Sequence, residues 1–574
     1  MNLHSIDLAC ALPEKAENPQ VAVERSLPVS PQQTCIRWWL LSAFALWIVF
    51  ILFSMRLNSD QIWFSNLDQD SILLIDSLRR NSDRQSSYLE QPGIGVYPLY
   101  GSMLQLFSKV GITQVKNFRD LEKMSDPLTA VAEIFYAGRS ISLIVVSLLC
   151  LAVGVLAALL ARKATVGVLT FMLSLSSSGI LLQSLLVRTE LSAMLYLSLA
   201  AIAAALSRRS TSPLLAGFWV WGSGVLCAAA ILTKVLVMPA VPFVWLLAVC
   251  GDPSWKPLPI DGKHPVVRKL FAPVTLFVMM TLAMEVGPYY LWSFRWPWAC
   301  RIAGLGVALL SLASFPYWMR LDSRPKTGVF KAAMYFAGLF AGVLLIMKAG
   351  RVEMQGQDVL IWLGKMLVGD QSIQPYLAVV KQAGYVGVLT TLIVKVGGHY
   401  LLHTLYLPIV LLAFLLSDRR IPLVFVGAIL SGIAMAGVCC ARYAAPNYYI
   451  FSDIALSIFS AAVIERFLRR GRTRITIVLV VMLIANVFVQ WGFTARFYPA
   501  YNDIMRDRVD YVYCGFYPSP EYSNLMLSVY GRDKAKIVTR ILKDPRINGL
   551  NQGIDLKLKP NIRKYLEGEA LPQL

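Results

Sequence analysis

The chain has 574 residues, of which 56% are hydrophobic and 15% charged, with 54 Lys and Arg against 34 Asp and Glu for a formal charge of +20. So apolar a composition excludes a soluble globular enzyme and points to an all-α polytopic membrane protein. In such a chain positive charge is read by where it falls along the sequence, and it implies no nucleic-acid partner.

Residues 1–36 are rich in Pro, Glu and Gln, lack a periodic apolar pattern and a signal-peptide pattern, and read as a disordered cytoplasmic tail. Crossing the hydrocarbon core takes about 20 apolar residues. Runs near that length predict about thirteen spans: 38–55, 140–160, 165–186, 191–206, 214–233, 235–250, 270–292, 298–318, 329–348, 399–416, 421–440, 446–464 and 475–493. Basic residues crowd every second connection: Arg162-Lys163, Arg208-Arg209, Lys263 with Arg268-Lys269, Arg320 with Arg324 and Lys326, Arg419-Arg420, and Arg466 to Arg474. The positive-inside rule makes those connections cytoplasmic. Segments 56–138, 349–398 and 494–574 then face outward, and residues 37–493 form one transmembrane domain.

The first outer loop opens with "SNLDQDSILLIDSLRRN", Ser65 to Asn81. It predicts a helix that starts at Asp68 or Asp70, runs apolar through Leu78 and ends in Arg79-Arg80. An ordinary N-cap and a dipole-matched helix fit this pattern; so does an acidic site at the mouth of an apolar chain. "YLEQPGIGVYPLYGSMLQLF" follows, Tyr88 to Phe107, with a turn at Gln91, Pro92 and the glycines. The Tyr and Leu residues behind it, Tyr97 among them, suit a helix at the membrane interface that floors a cavity open to lipid.

Arg188, Lys234, Arg295 and Arg442 break the charge pattern by falling at outer helix ends, and Glu190 and Glu285 join them. An ionisable residue at the bilayer centre costs roughly 2.5 to 3.5 kcal/mol. Four convergent basic ends would hold a phosphate or pyrophosphate; four separate interfacial anchors give the same sequence, and an Arg188–Glu190 salt bridge explains that pair equally well. The cysteines Cys150, Cys227, Cys250, Cys300, Cys439 and Cys440 lie in or beside spans and leave Cys514 alone in an outer segment, so no disulfide framework is implied. His399 and His403 read as a helix-end pair and not a ligand set.

The acidic "LDQD", the "QPG" turn, "AGRSISLIVV", "VRTELSAML", "TKVLVMP" and "ARYAAPNYYIF", in that order over residues 38–465, resemble the GT-C superfamily, whose members include protein O-mannosyltransferases and aminoarabinose transferases. The chain departs from the family in having Asp68-Gln69-Asp70 where Asp-Glu is frequent, and Gln91-Pro92 where His-Pro is frequent. The resemblance implies a glycosyltransferase of the bacterial inner membrane, active on the periplasmic side. Such an enzyme moves a sugar from a polyprenyl-phosphate donor to a hydroxyl of a glycan, lipid or protein acceptor, with inversion. It implies Asp68, with Asp70 next, as general base. Lys234, Arg295 and Arg442 are implied at the leaving phosphate, and Arg188, Glu190, Tyr443, Gln91 and Tyr97 at the bound substrates. The lipid-monosaccharide branch works without a metal cofactor; Asp68 and Asp70 would meet a divalent ion only from an irregular loop.

The C-terminal segment 494–574 is too charged to be embedded. "VDYVYCGFYPSPEYSNLML", Val509 to Leu527, predicts a strand, a turn and a helix, giving a small α/β extracytoplasmic unit that caps the outer loops or recognises the acceptor. The loop from Arg351 to Lys395 predicts either a flap or a pair of interfacial helices. A lipid-linked-glycan flippase or transporter would place its charges at the midplane. A surface-polysaccharide polymerase or ligase would carry a large late outer loop.

Overall fold

The computed structural model describes residues 31–59, 70–86, 93–210, 212–249, 325–352, 427, 431–432, 435, 446–469, 473–505 and 520–530. Among these the chain is 87% helical with no strand, so its backbone polar groups are satisfied within their own segments, as a hydrocarbon surrounding requires. The helices are α1 (Pro31–Ser59), α2 (Asp70–Asn81), α3 (Val96–Lys109), α4 (Phe118–Glu122), α5 (Pro127–Ala161), α6 (Ala164–Ser176), α7 (Ser178–Ser184), α8 (Thr189–Ser207), α9 (Pro213–Thr233), α10 (Val241–Val249), α11 (Pro325–Ala349), α12 (Ile450–Arg469), α13 (Thr473–Met505) and α14 (Pro520–Tyr530). Short 3-10 turns at Val235–Ala240 and Pro446–Tyr449 precede α10 and α12.

Five described helices, α1, α5, α8, α9 and α11, contain stretches long and apolar enough to cross a membrane, six spans if the bent pair α6–α7 counts as one. Their outward faces carry bare aromatic and aliphatic groups, with Phe340 of α11 68% and Trp38 of α1 67% exposed. An aqueous surface would not leave such rows uncovered, and the helices are those of a membrane protein. The expected spans 270–292, 298–318 and 399–416, and nearly all of 421–440, lie outside the described residues, as do the predicted strand near Val509, the loop beyond Val352, and the His399–His403 pair.

Two expected spans take another form. The run 165–186 is not one helix: α6 and α7 meet at Ser177 with a bend of 68°. Ser177 is extended, and its hydroxyl accepts from the backbone N–H of Ile180 at 3.2 Å, capping α7 and ending α6 in one step. The run 235–250 is a 3-10 turn followed by the nine residues of α10, because Pro239 lacks the N–H that a continuous helix needs.

Helix pairing follows small residues. Cβ atoms built at Gly224 of α9 and Gly338 of α11 would lie 2.2 Å from Tyr335 O and 2.0 Å from Trp221 O. The Gly338-to-Gly342 spacing is the small-xxx-small device that brings two helix backbones together where lipid removes the hydrophobic drive to associate.

The chain direction gives the bundle two chemically distinct ends. At one, basic side chains meet helix carboxyl ends and a carboxylate: Arg209 donates to Leu159 O, Arg208 to Leu247 O, and Lys163 lies 2.9 Å from Glu465. At the other sit α2 to α4 and the end of α11, where Arg80 donates to Ala349 O at 2.9 Å, Ser86 to Gly350 O at 2.8 Å, and Arg351 pairs with Asp83. Burial and the nearby Arg351 guanidinium press Arg80 below the ordinary arginine range.

Helix α14 docks on this loop end. Tyr522, Leu525 and Met526, spaced i, i+3 and i+4, are buried in the main core. Glu521 receives Arg79 at 2.6 Å and Arg84 at 3.1 Å, while Tyr530 donates to Asp126 at 2.5 Å. Arg84 also forks onto Glu122 at 2.9 and 3.0 Å, which holds its guanidinium above the ordinary arginine value. Burial pushes the Tyr522 hydroxyl above the ordinary tyrosine value.

Candidate functional site

Helices α8 and α9 run antiparallel, so the first residues of α8 and the residue after α9 share the loop end. Arg188 precedes α8 in an extended conformation and Glu190 lies in its first turn, where a negative charge is favoured by the helix dipole. Lys234 is also extended; its N–H still bonds Ala230 O at 2.9 Å, and its side chain is released where the 3-10 turn begins.

These positions bring Arg188, Glu190 and Lys234 into direct contact. Arg188 forks onto both Glu190 oxygens, Nε to Oε2 at 3.2 Å and Nη2 to Oε1 at 3.1 Å, and Lys234 Nζ reaches the same Oε1 at 3.0 Å. Arg188 Nη2 also donates to the Tyr448 hydroxyl at 3.0 Å, with the guanidinium carbon 5.6 Å from that ring's centroid. Glu190 is 0%, Arg188 5% and Lys234 6% exposed. Two cations around one carboxylate, all removed from bulk solvent, hold both basic groups in fixed places.

The predicted loop elements meet this cluster from above. The turn after Gln91-Pro92 presses on the end of α9: a Cβ on Gly95 would lie 2.0 Å from Thr233 Oγ1, one residue before Lys234, and Gly95 O accepts from Tyr196 at 3.0 Å. Only glycine fits there. One turn into α2, Leu74 packs on Gly138, whose Cβ would also lie 3.0 Å from Val187, the residue before Arg188. The helix that opens at Asp70 therefore stands on the wall that carries Arg188.

Of the sequence-derived site residues, Arg188, Glu190 and Lys234 come together. Tyr97 is fully buried in the core, its hydroxyl 3.2 Å from where a Gly93 Cβ would sit. Asp70 begins α2. Asp68, Gln91, Arg295, Arg442 and Tyr443 lie outside the described residues. Among the described residues no group of three His, Cys, Asp or Glu side chains is arranged to hold a metal ion.

Three groups escaped the sequence reading. Tyr448 is one of many tyrosines, and nothing local marks it. Arg139 is 4% exposed within the apolar run of α5, and Asp453 is fully buried in α12; a lone charge inside an apolar helix is the signal that would have flagged both. Comparisons with protein-family models, curated proteins and solved structures found no match.

Proposed function

We propose that this protein is a multi-pass glycosyltransferase of GT-C type, with about thirteen spans, that transfers a sugar from a polyprenyl-phosphate donor to an acceptor hydroxyl on the extracytoplasmic face of a bacterial inner membrane. The observation that carries this reading is the buried Arg188–Glu190–Lys234 cluster beneath the helix that opens at Asp70. A phosphate on a lipid tail needs fixed cations beside the bilayer, and two such cations from different helices meet there.

In the reaction the acceptor oxygen attacks the anomeric carbon as the bond from that carbon to the phosphate oxygen breaks. The bonding pair leaves on polyprenyl phosphate, and the acceptor proton goes to the carboxylate of Asp68 or, next in line, Asp70. Charge grows on the phosphate as it departs, so Lys234 and Arg188, joined by Arg295 and Arg442, lower the barrier by holding it more strongly in the transition state. Glu190 keeps the first two from repelling one another. Tyr443 and Gln91 complete the substrate surroundings, while Tyr97 packs in the core.

The test is to incubate purified protein with labelled polyprenyl-phosphate sugars and measure released polyprenyl phosphate. Release by wild type, with loss in Asp68→Asn or Asp70→Asn while donor binding persists, supports the assignment. Turnover unchanged in both variants removes the base, and absence of release with every donor class removes the activity.

A further inference from the structure

We propose that Asp453 is a positioning residue for the Arg188–Tyr448 contact, an inference that rests on the reading of Arg188 as a phosphate-binding group. Asp453 is fully buried near the start of α12. A carboxylate in apolar surroundings is costly and persists only with a partner. One partner is Ser177, whose hydroxyl donates to Oδ2 at 2.5 Å at the point where α6 breaks into α7.

The beginnings of α7 and α12 touch at this point. A Cβ on Gly179 would lie 2.9 Å from the backbone nitrogen of Ile450 and 3.3 Å from Asp453 Oδ2, so no larger residue fits. Helix α13 supports the break from another side: Gln490 Oε1 accepts from Ser178 N at 2.6 Å, Trp491 Nε1 donates to Leu175 O at 3.1 Å, and Asn486 donates to Ser176 at 2.9 Å. Two backbone groups beside the bend, Ser178 N and Leu175 O, are thereby satisfied by side chains of α13.

Two connections now join the same pair of chain segments. Ser177 to Asp453 ties the start of segment 177–188 to α12, and Arg188 to Tyr448 ties its end to the turn that leads into α12. Removing the first loosens α7 on its α12 side, and α7 leads through residues 185–187 into Arg188. Removing an outer partner that orients a ligating side chain costs roughly ten- to a hundredfold in affinity or activity at metal sites, and a guanidinium held for phosphate is expected to follow the same scale.

The experiment uses the full chain in detergent, comparing wild type with Asp453→Leu, Asp453→Asn and Asp453→Ala. Hydrogen–deuterium exchange is followed in peptides covering 177–190 and 446–453, and affinity is measured for undecaprenyl monophosphate. Expected are faster exchange in both peptides and roughly tenfold or greater loss of affinity in Asp453→Leu. Asp453→Asn, which keeps an oxygen to accept from Ser177, should stay within about threefold of wild type. Exchange unchanged in Asp453→Leu overturns the proposal, and so does faster exchange with unaltered affinity. Equal loss in Asp453→Asn and Asp453→Leu also overturns it. A wild-type protein without affinity for the lipid phosphate defeats the proposed function instead, while the exchange rates still decide whether Asp453 locks the two segments. Should Asp453→Leu fail to fold, Asp453→Ala removes the same hydrogen bond while leaving the Ser177 hydroxyl to cap α7, and is read by the same criteria.

Discussion

Neutralising Glu190 gives the sharpest test of the buried cluster. In Glu190→Gln the shape of the side chain is kept and the charge shared by Arg188 and Lys234 is lost. Each pair, at 3.1 and 3.0 Å, is worth about 5 kcal/mol of Coulomb attraction at an effective dielectric of about 20. Desolvation offsets much of that, and removing one member of a buried pair costs about 3 to 5 kcal/mol in net stability because the partner charge stays behind. The variant should therefore lose roughly 2 to 4 °C in apparent Tm, followed by the fluorescence of the 14 tryptophans in detergent. Glu122→Gln serves as the control, since that carboxylate, 37% exposed, pairs with Arg84 in reach of solvent and should cost under about 1 kcal/mol. Adding Lys234→Met to Glu190→Gln removes one stranded cation, so the double variant should be less destabilised than the two single changes combined. A Glu190→Gln protein as stable as the Glu122→Gln control would refute the buried-charge account.

Other expectations follow from the same geometry. Gly338→Leu would drive a side chain into Trp221 O and should separate α9 from α11 at a cost of about 3 kcal/mol or more, read as loss of a monodisperse folded peak in size-exclusion chromatography. Glu521→Gln should cost roughly 1 kcal/mol after allowance for its 41% exposure; faster hydrogen exchange confined to α14 would show the release, and exchange equal to wild type would count against the clamp. Because burial raises the Tyr522 pKa, the folded state holds the protonated form. That stability is fully present below the ordinary tyrosine value of about 10 and is lost above it as the unfolded chain ionises first. Limited proteolysis of α14 should accelerate above about pH 10 in wild type and less so in Tyr522→Phe. Tyr448→Phe keeps the ring beneath Arg188 and removes the hydroxyl acceptor, so its stability should fall by about 1 kcal/mol.

Local chemistry carried a good part of this architecture. The helix beginning at Asp70, the glycine turn before α3, the spans α1, α5, α8, α9 and α11 and the basic connections at one end all follow from apolar runs, caps and charge placement. The bend at Ser177 was also present in the text of the chain, as three serines followed by glycine, but a hydropathy window averages over such a break. Of the candidate site, the sequence marked Arg188, Glu190 and Lys234 as charges out of place. It left open whether they were separate anchors.

What the amino-acid order determined by itself is the class of molecule and the end of each helix at which a charge would emerge, because both depend on local hydrophobicity and on the helical repeat. That Arg188 and Lys234 share one carboxylate, that Tyr448 closes over the guanidinium, and that α14 clamps the far end of α2 were decided by the tertiary structure alone. The contacts of Lys234, Tyr448 and Glu521 join residues tens to hundreds of positions apart, and they exist only once helix packing has set those segments side by side.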